Sequence, residues 1–290
     1  MTAYDLFIVP FTELAFMRKA LAGSLLLSVS ACPVGVFMML RRMSLAGDAM
    51  SHAILPGVAG AFLFFGLSIL PMTLGGLLAG LAVALFAGIV SRVTVQREDT
   101  SLAAFYLISL ACGVALISVK GSSVDVMHIL FGTVLALNNQ SLILIAVVAS
   151  ITIFAFAVLW RALVAECLDP LFLRTVSSVG PITHYAFLVL LVLNLVAGFN
   201  ALGTLLSVGL MILPAAAARF WTRRVETMCL VAVAIGMTSG YVGLLLSYHL
   251  GVASGPAIVL TAGAAYIASL VFSKQGLASR RVEPHRHKVA

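Results

Sequence analysis

The sequence predicts an all-α, polytopic membrane protein with about nine transmembrane helices, and three observations carry that prediction. First, the 290 residues are 62% hydrophobic and only 9% charged, with mean hydropathy +1.16, whereas roughly a quarter of a water-soluble domain is charged. Second, apolar runs long enough to cross a bilayer, about 20 residues each, recur from end to end. Third, the basic residues sort to one side of the membrane.

The spans read off the hydropathy pattern are 20–40, 44–66, 71–91, 101–119, 142–160, 184–199, 201–218, 225–248 and 253–272. Residues 4–17, interrupted by Pro10 and Glu13, form an interfacial helix ahead of the first span. That span carries "VSAC" ending at Cys32, which resembles a lipidation box, but it continues "PVGVFMML" into Arg41-Arg42 and so is a full span with a positive stop. Residues 122–140 are too polar for a confident span and read as a re-entrant or interfacial segment shielded by protein. Eight and ten spans therefore bracket the count. Nine spans put the chain ends on opposite sides, and one side then holds all 17 Lys and Arg except Arg18, Lys19 and Lys120. Positive loops stay cytoplasmic, which places the N-terminus outside and the C-terminus inside. The net charge of +7 is thus topological and implies membrane lipid, not nucleic acid, as the surrounding partner. The four cysteines (Cys32, Cys112, Cys167, Cys229) form no C-x-x-C pair and imply neither disulfide nor zinc knuckle.

No soluble domain can be cut out, so residues 1–290 read as one transmembrane domain with a soluble cytoplasmic tail, 273–290. The longest cytoplasmic connection is 161–183. Within it Asp169-Pro170 is a helix start and Gly180-Pro181 a stop. Leu171, Phe172, Leu173 and Val176 lie between them outside the bilayer. Their apolar face reads either as a surface helix or as a short helix inserted into a groove on a cytoplasmic partner. No G-x-x-x-x-G-K-[ST] loop occurs, so ATP-driven work here would need a nucleotide-binding partner polypeptide.

The chemistry concentrates in "SLAGDAMSHAILPG", residues 44–57. Asp48 alone of the ten acidic residues falls within a span away from its end residues. A carboxylate at such a depth is expected to face a bundle interior or an aqueous path. His52 follows at i+4, on the same helical face, and the stripe continues through Pro56 and Gly60. Beside it runs a ladder of small residues, Ala49, Ala53, Gly57 and Ala61, that admits a neighbouring helix. Pro56 also frees a carbonyl at His52. The pair reads as a transient metal site, a proton relay or a structural hydrogen bond. Carboxylate and imidazole suit Zn²⁺, Mn²⁺ or Fe²⁺. One helix supplies two ligands, and two copies meeting at a dimer axis would supply four.

The stretch "RRMSLAGDAMSHAILPGVAGAF" (41–62) resembles the signature of the ABC-3 permeases, membrane subunits of bacterial metal-importing ABC systems. "LDPLFLRTVSSVGP" (168–181), "ALGTLLSVGLMILPAAAARF" (201–220) and "SYHLGVASGPAIVL" (247–260) are similar to later blocks of that family, in the same order. The resemblance implies a type II ABC importer-like permease of the bacterial inner membrane, working as a homodimer and not as an enzyme. A separate cytoplasmic ATP-binding cassette subunit would hydrolyse ATP, and a periplasmic metal-binding protein would deliver cargo. It also implies a coupling role for residues 169–180 and metal contact by Asp48 and His52, with no tightly bound cofactor. By helical rise the pair lies about 6 and about 12 Å from the inner start of its span. Either the span boundary lies elsewhere or the pair guards the inner half.

Zinc is the first choice of cargo, from His249, His128 and the tail histidines His285 and His287, with manganese or iron as alternatives. His184 reads as structural, and Asn194, Ser207 and Met211 as residues of the path. Competing functions are a permease for chelated iron or vitamin B12, a proton-coupled metal carrier, and a non-transporting membrane protein.

Overall fold

The computed structural model describes residues 7–66, 68–96, 98–119, 137–168 and 179–273. Eleven helices account for nearly all of them: α1 (Val9–Glu13), α2 (Ala15–Leu40), α3 (Ala46–Ala53), α4 (Leu55–Phe65), α5 (Ile69–Val93), α6 (Glu98–Val119), α7 (Asn139–Leu168), α8 (Val179–Leu202), α9 (Thr204–Ala218), α10 (Val225–Leu250) and α11 (Ser254–Phe272). Among the described residues eight stretches are long and apolar enough to cross a membrane, α3 and α4 together forming one of them. The seventh predicted span, 201–218, is α9, which has 15 residues, about 22 Å of helix, and is the shorter apolar helix of the set.

Helix α2 is the hub. It packs against α7, α8, α9 and α10, and its side chains Ala20, Cys32, Val34, Val36 and Phe37 are fully buried. Cys32 lies in the helix centre, its thiol 3.3 Å from the Leu210 carbonyl, as a packed apolar residue. Around this hub, α4, α5 and α6 pack on one another, and α10 and α11 form a hairpin that α9 joins. The short α1 breaks at Leu14, which is extended, and Phe11 stacks on Tyr241 with ring centroids 5.2 Å apart.

Several boundaries differ from the hydropathy reading for identifiable reasons. Helix α7 runs to Leu168, eight residues beyond the expected end, and its last turns carry Glu166 into contact with Arg41 and His184. Gly180-Pro181, expected to stop a helix, stands in the first turn of α8, where a proline loses no intrahelical bond. The break after α8 falls at Gly203, whose φ of 92° a side chain would resist. The segment 122–136, the coupling stretch 169–178 and the tail 274–290 lie outside the described residues.

Candidate functional site

The corner that carries the site is built by a helix ending. Arg42 has φ 61°, the one positive value at a non-glycine residue among those described. Its N–H donates to the Met39 carbonyl and the Met43 N–H to the Met38 carbonyl, the paired bonds that close a helix through a left-handed residue. The chain then reverses within a few residues into α3. Asp48 falls in the first turn of α3 and His52 in its last.

Pro56 opens α4, and α3 and α4 are consequently separate helices joined at Ile54. The His52 carbonyl, expected to be free, accepts the Ile54 N–H. The next carbonyl, Ala53, accepts the buried Ser109 hydroxyl from α6 at 2.9 Å. A Cβ on Gly113 would meet the Pro56 nitrogen at 3.1 Å, so α6 lies tight against the break. Ser109 and Gly113 were invisible to a reading of the second span alone, since only the folded contact reveals them.

Asp48 Oδ1 and His52 Nε2 lie 3.9 Å apart, with side chains 69% and 38% exposed. That separation exceeds a hydrogen bond, so the pair is aligned on one face without being bonded together. His52 Nδ1 is buried with no hydrogen-bond partner among the described residues, and the ring lies 6.3 Å from that of Tyr106. Beneath α3, Met211 and Met38 fill the space against Gly47. No group of three or more His, Cys, Asp or Glu suited to a metal occurs among the described residues. Among the described residues this pair offers two donors per chain.

The small-residue ladder faces protein. Ala49 and Ala53 are buried, and a Cβ added to Gly57 would run into the Gly75 carbonyl of α5 and lie 2.7 Å from the Ala79 Cβ. The α4–α5 contact is therefore backbone against backbone.

Other candidates fall elsewhere. Asn194 is buried and donates to the Thr152 hydroxyl at 2.8 Å and the Leu190 carbonyl at 2.9 Å, tying α8 to α7. Ser207 packs on Gly198, and Met211 on Gly35 and Gly47. All three are buried in contacts between helices. His249 is exposed in the last turn of α10 against Tyr248.

His184 belongs to a cluster that the sequence did not announce. Arg41, ending α2, donates to Glu166 of α7 at 2.7 Å, and His184 Nδ1 of α8 lies 3.5 Å from the other Glu166 oxygen. All three side chains are at most 10% exposed. The guanidinium carbon also sits 4.2 Å over the Phe187 ring. Residues 125 apart in sequence thus join three helix ends at the base of segment 169–178.

A bundle of helices long and apolar enough to cross a membrane, packed around one buried hub, is the architecture of a multi-pass membrane protein. The chain belongs to the ABC 3 transport family, whose model matches residues 13–273. It is 32% identical over 278 residues to the "Manganese import system permease protein ScaB" of Streptococcus gordonii, covering 96% of this chain and 99% of that protein. It is 32% identical to a "Probable iron transport system membrane protein" of Haemophilus influenzae, covering 90% and 95%. The solved structure of PsaBC from Streptococcus pneumoniae in complex with Fab superposes with TM-score 0.81 at 32% identity, covering 93% of this chain and 96% of that one. As a permease subunit of an ABC system, the chain is not itself the ATP-hydrolysing enzyme.

Proposed function

We propose that this chain is the permease of an ATP-driven importer of a divalent first-row metal, with Asp48 and His52 as the cargo contacts. The observation that supports this most is the aligned, unbonded pair at 3.9 Å on an accessible face. A carboxylate oxygen and an imidazole nitrogen there can exchange water for metal without breaking a structural bond. Two donors hold a metal weakly, which suits passage. A homodimer that brings two such corners together would supply four, and the exposure of Asp48 fits a face awaiting a second copy. A periplasmic metal-binding protein would deliver the cargo and a cytoplasmic ATPase would drive it. The chain would sit in the bacterial inner membrane with its N-terminus outside and C-terminus inside.

In this reading segment 169–180 receives the push of the ATPase, and the Arg41–Glu166–His184 cluster carries it to the α2–α3 corner that holds Asp48. The cargo preference moves from zinc to manganese, with iron next, because the curated relatives are named for those metals. Of the histidines that favoured zinc, His249 ends α10, and His128, His285 and His287 lie outside the described residues. Zinc binds any nitrogen–oxygen site more tightly than manganese does, so the delivering protein would set the selection.

The test is uptake of radioactive manganese and zinc into cells lacking their own importers. Manganese uptake that requires the co-expressed ATPase and binding protein is the expected result. Uptake without the ATPase would make the chain a proton-coupled carrier, and uptake of zinc alone would restore the zinc assignment.

A further inference from the structure

A cavity of about 770 Å³ opens between the C-terminal end of α7 and the start of α10. Its walls carry three arginines, Arg161, Arg223 and Arg224, against one carboxylate, Glu226, with Trp160 and Leu168 among the apolar lining. Three arginines on one concave surface make it electropositive, a setting that favours an anion. Arginine suits phosphate in particular, since its planar fork offers paired donors. The loop that presents two of them is held in shape. The Thr222 and Thr227 hydroxyls share a hydrogen bond at 2.6 Å, and Thr227 also bonds the Arg224 carbonyl at 3.0 Å. Arg224 caps the 26-residue α10, so the positive end of that helix points the same way.

The cavity does not end at the arginines. A second one of about 420 Å³ shares Trp160 and Arg161 and continues along α7 past Phe156, Ala157 and Val158. Val158 is 65% exposed and belongs to the membrane-crossing part of the helix. Trp160 forms a fixed wall between the two, its ring edge-on to Phe37 at 5.5 Å. A cationic chamber that runs into an apolar groove at bilayer depth has the polarity of a phospholipid, phosphate at one end and acyl chain at the other. Basic pockets between membrane helices on the cytoplasmic side take anionic headgroups on this principle.

We propose that this cavity is a binding site for an anionic phospholipid, its phosphate held by Arg161, Arg223 and Arg224 and an acyl chain lying along Phe156–Val158. The site is separate from the Asp48–His52 pair and does not depend on which metal is carried. Its lining includes Ala165 and Leu168 in the last turns of α7, so its occupancy would bear on that end of the helix.

Trp160 itself is the reporter, because Trp221 is the only other tryptophan in the chain. The full chain carrying Trp221→Phe is reconstituted into phosphatidylcholine bilayers containing a few mole percent of brominated lipid. The expected result is that brominated phosphatidylglycerol quenches Trp160 severalfold more than the same fraction of brominated phosphatidylcholine. The combined change Arg161→Gln, Arg223→Gln and Arg224→Gln, at exposed positions, should abolish that excess while leaving the melting temperature unchanged. Equal quenching by the two lipids, or an excess that survives the triple change, overturns the proposal. So does an excess removed by millimolar inorganic phosphate, which would make the ligand a free anion. Unchanged quenching in a triple variant that no longer co-purifies with the ATPase would assign the arginines to the protein partner, and also overturns it.

Discussion

Gly57→Ala is the smallest change that tests how α4 and α5 are held together. The new methyl would be driven into the Gly75 carbonyl and within 2.7 Å of the Ala79 Cβ. Carbon atoms rest about 3.5–4.0 Å apart, so the helices must separate by about 1 Å at this crossing, and by more for Gly57→Leu. Backbone atoms form the obstacle, and no rotamer change relieves it. Overpacking of this kind costs about 1–3 kcal/mol. For a chain of this size about 2 kcal/mol corresponds to a fall of about 5 °C in melting temperature. The separation would also pull α4 off Ser109 and Gly113, which hold the break next to His52. The assay is thermal unfolding in detergent paired with metal uptake, with Gly60→Ala as the control, since nothing lies within 4 Å of a Cβ there. Gly57→Ala should lose both stability and transport while Gly60→Ala keeps both. A Gly57→Ala protein that melts and transports like the parent would refute the close-contact argument.

Two further substitutions follow. Ser109→Ala strips the Ala53 carbonyl of its buried partner at the α3–α4 break; it should cost about 1 kcal/mol, seen as a melting temperature lower by a few degrees and a reduced uptake rate. Glu166→Gln leaves the buried Arg41 guanidinium without its counter-charge, at about 3–5 kcal/mol, and should both lower the melting temperature and uncouple ATP hydrolysis from uptake; removing both charges with Arg41→Met and Glu166→Met should restore stability without restoring coupling, and restored coupling would show that the cluster serves packing alone.

Much of this fold could be read from hydropathy because lipid-facing helices need little beyond length and apolarity. Runs such as 71–91 and 225–248 each became one helix with small extensions. The Asp48–His52 stripe and the small ladder followed from helical periodicity, and the ladder's burial agrees with that argument. What failed to show were properties that depend on a partner elsewhere in the chain. Glu166 read as part of the cytoplasmic connection 161–183 because the groups it meets, Arg41 and His184, are remote in sequence. For Asn194, Ser207 and Met211 the sequence did not reveal the burial against neighbouring helices, because a polar or flexible side chain within a span looks the same whether it faces water or a helix. Ser109 had no reason to stand out until its hydroxyl met the Ala53 carbonyl.

The most direct measurement is the initial rate of manganese uptake by Asp48→Asn and His52→Ala, each beside parent protein expressed to the same level with its ATPase. Both side chains are accessible and 3.9 Å apart without a bond between them, so neither change should alter the melting temperature. Metal contact by both predicts that each variant loses uptake while remaining folded and associated with the ATPase. Uptake at the parent rate by either variant would contradict it.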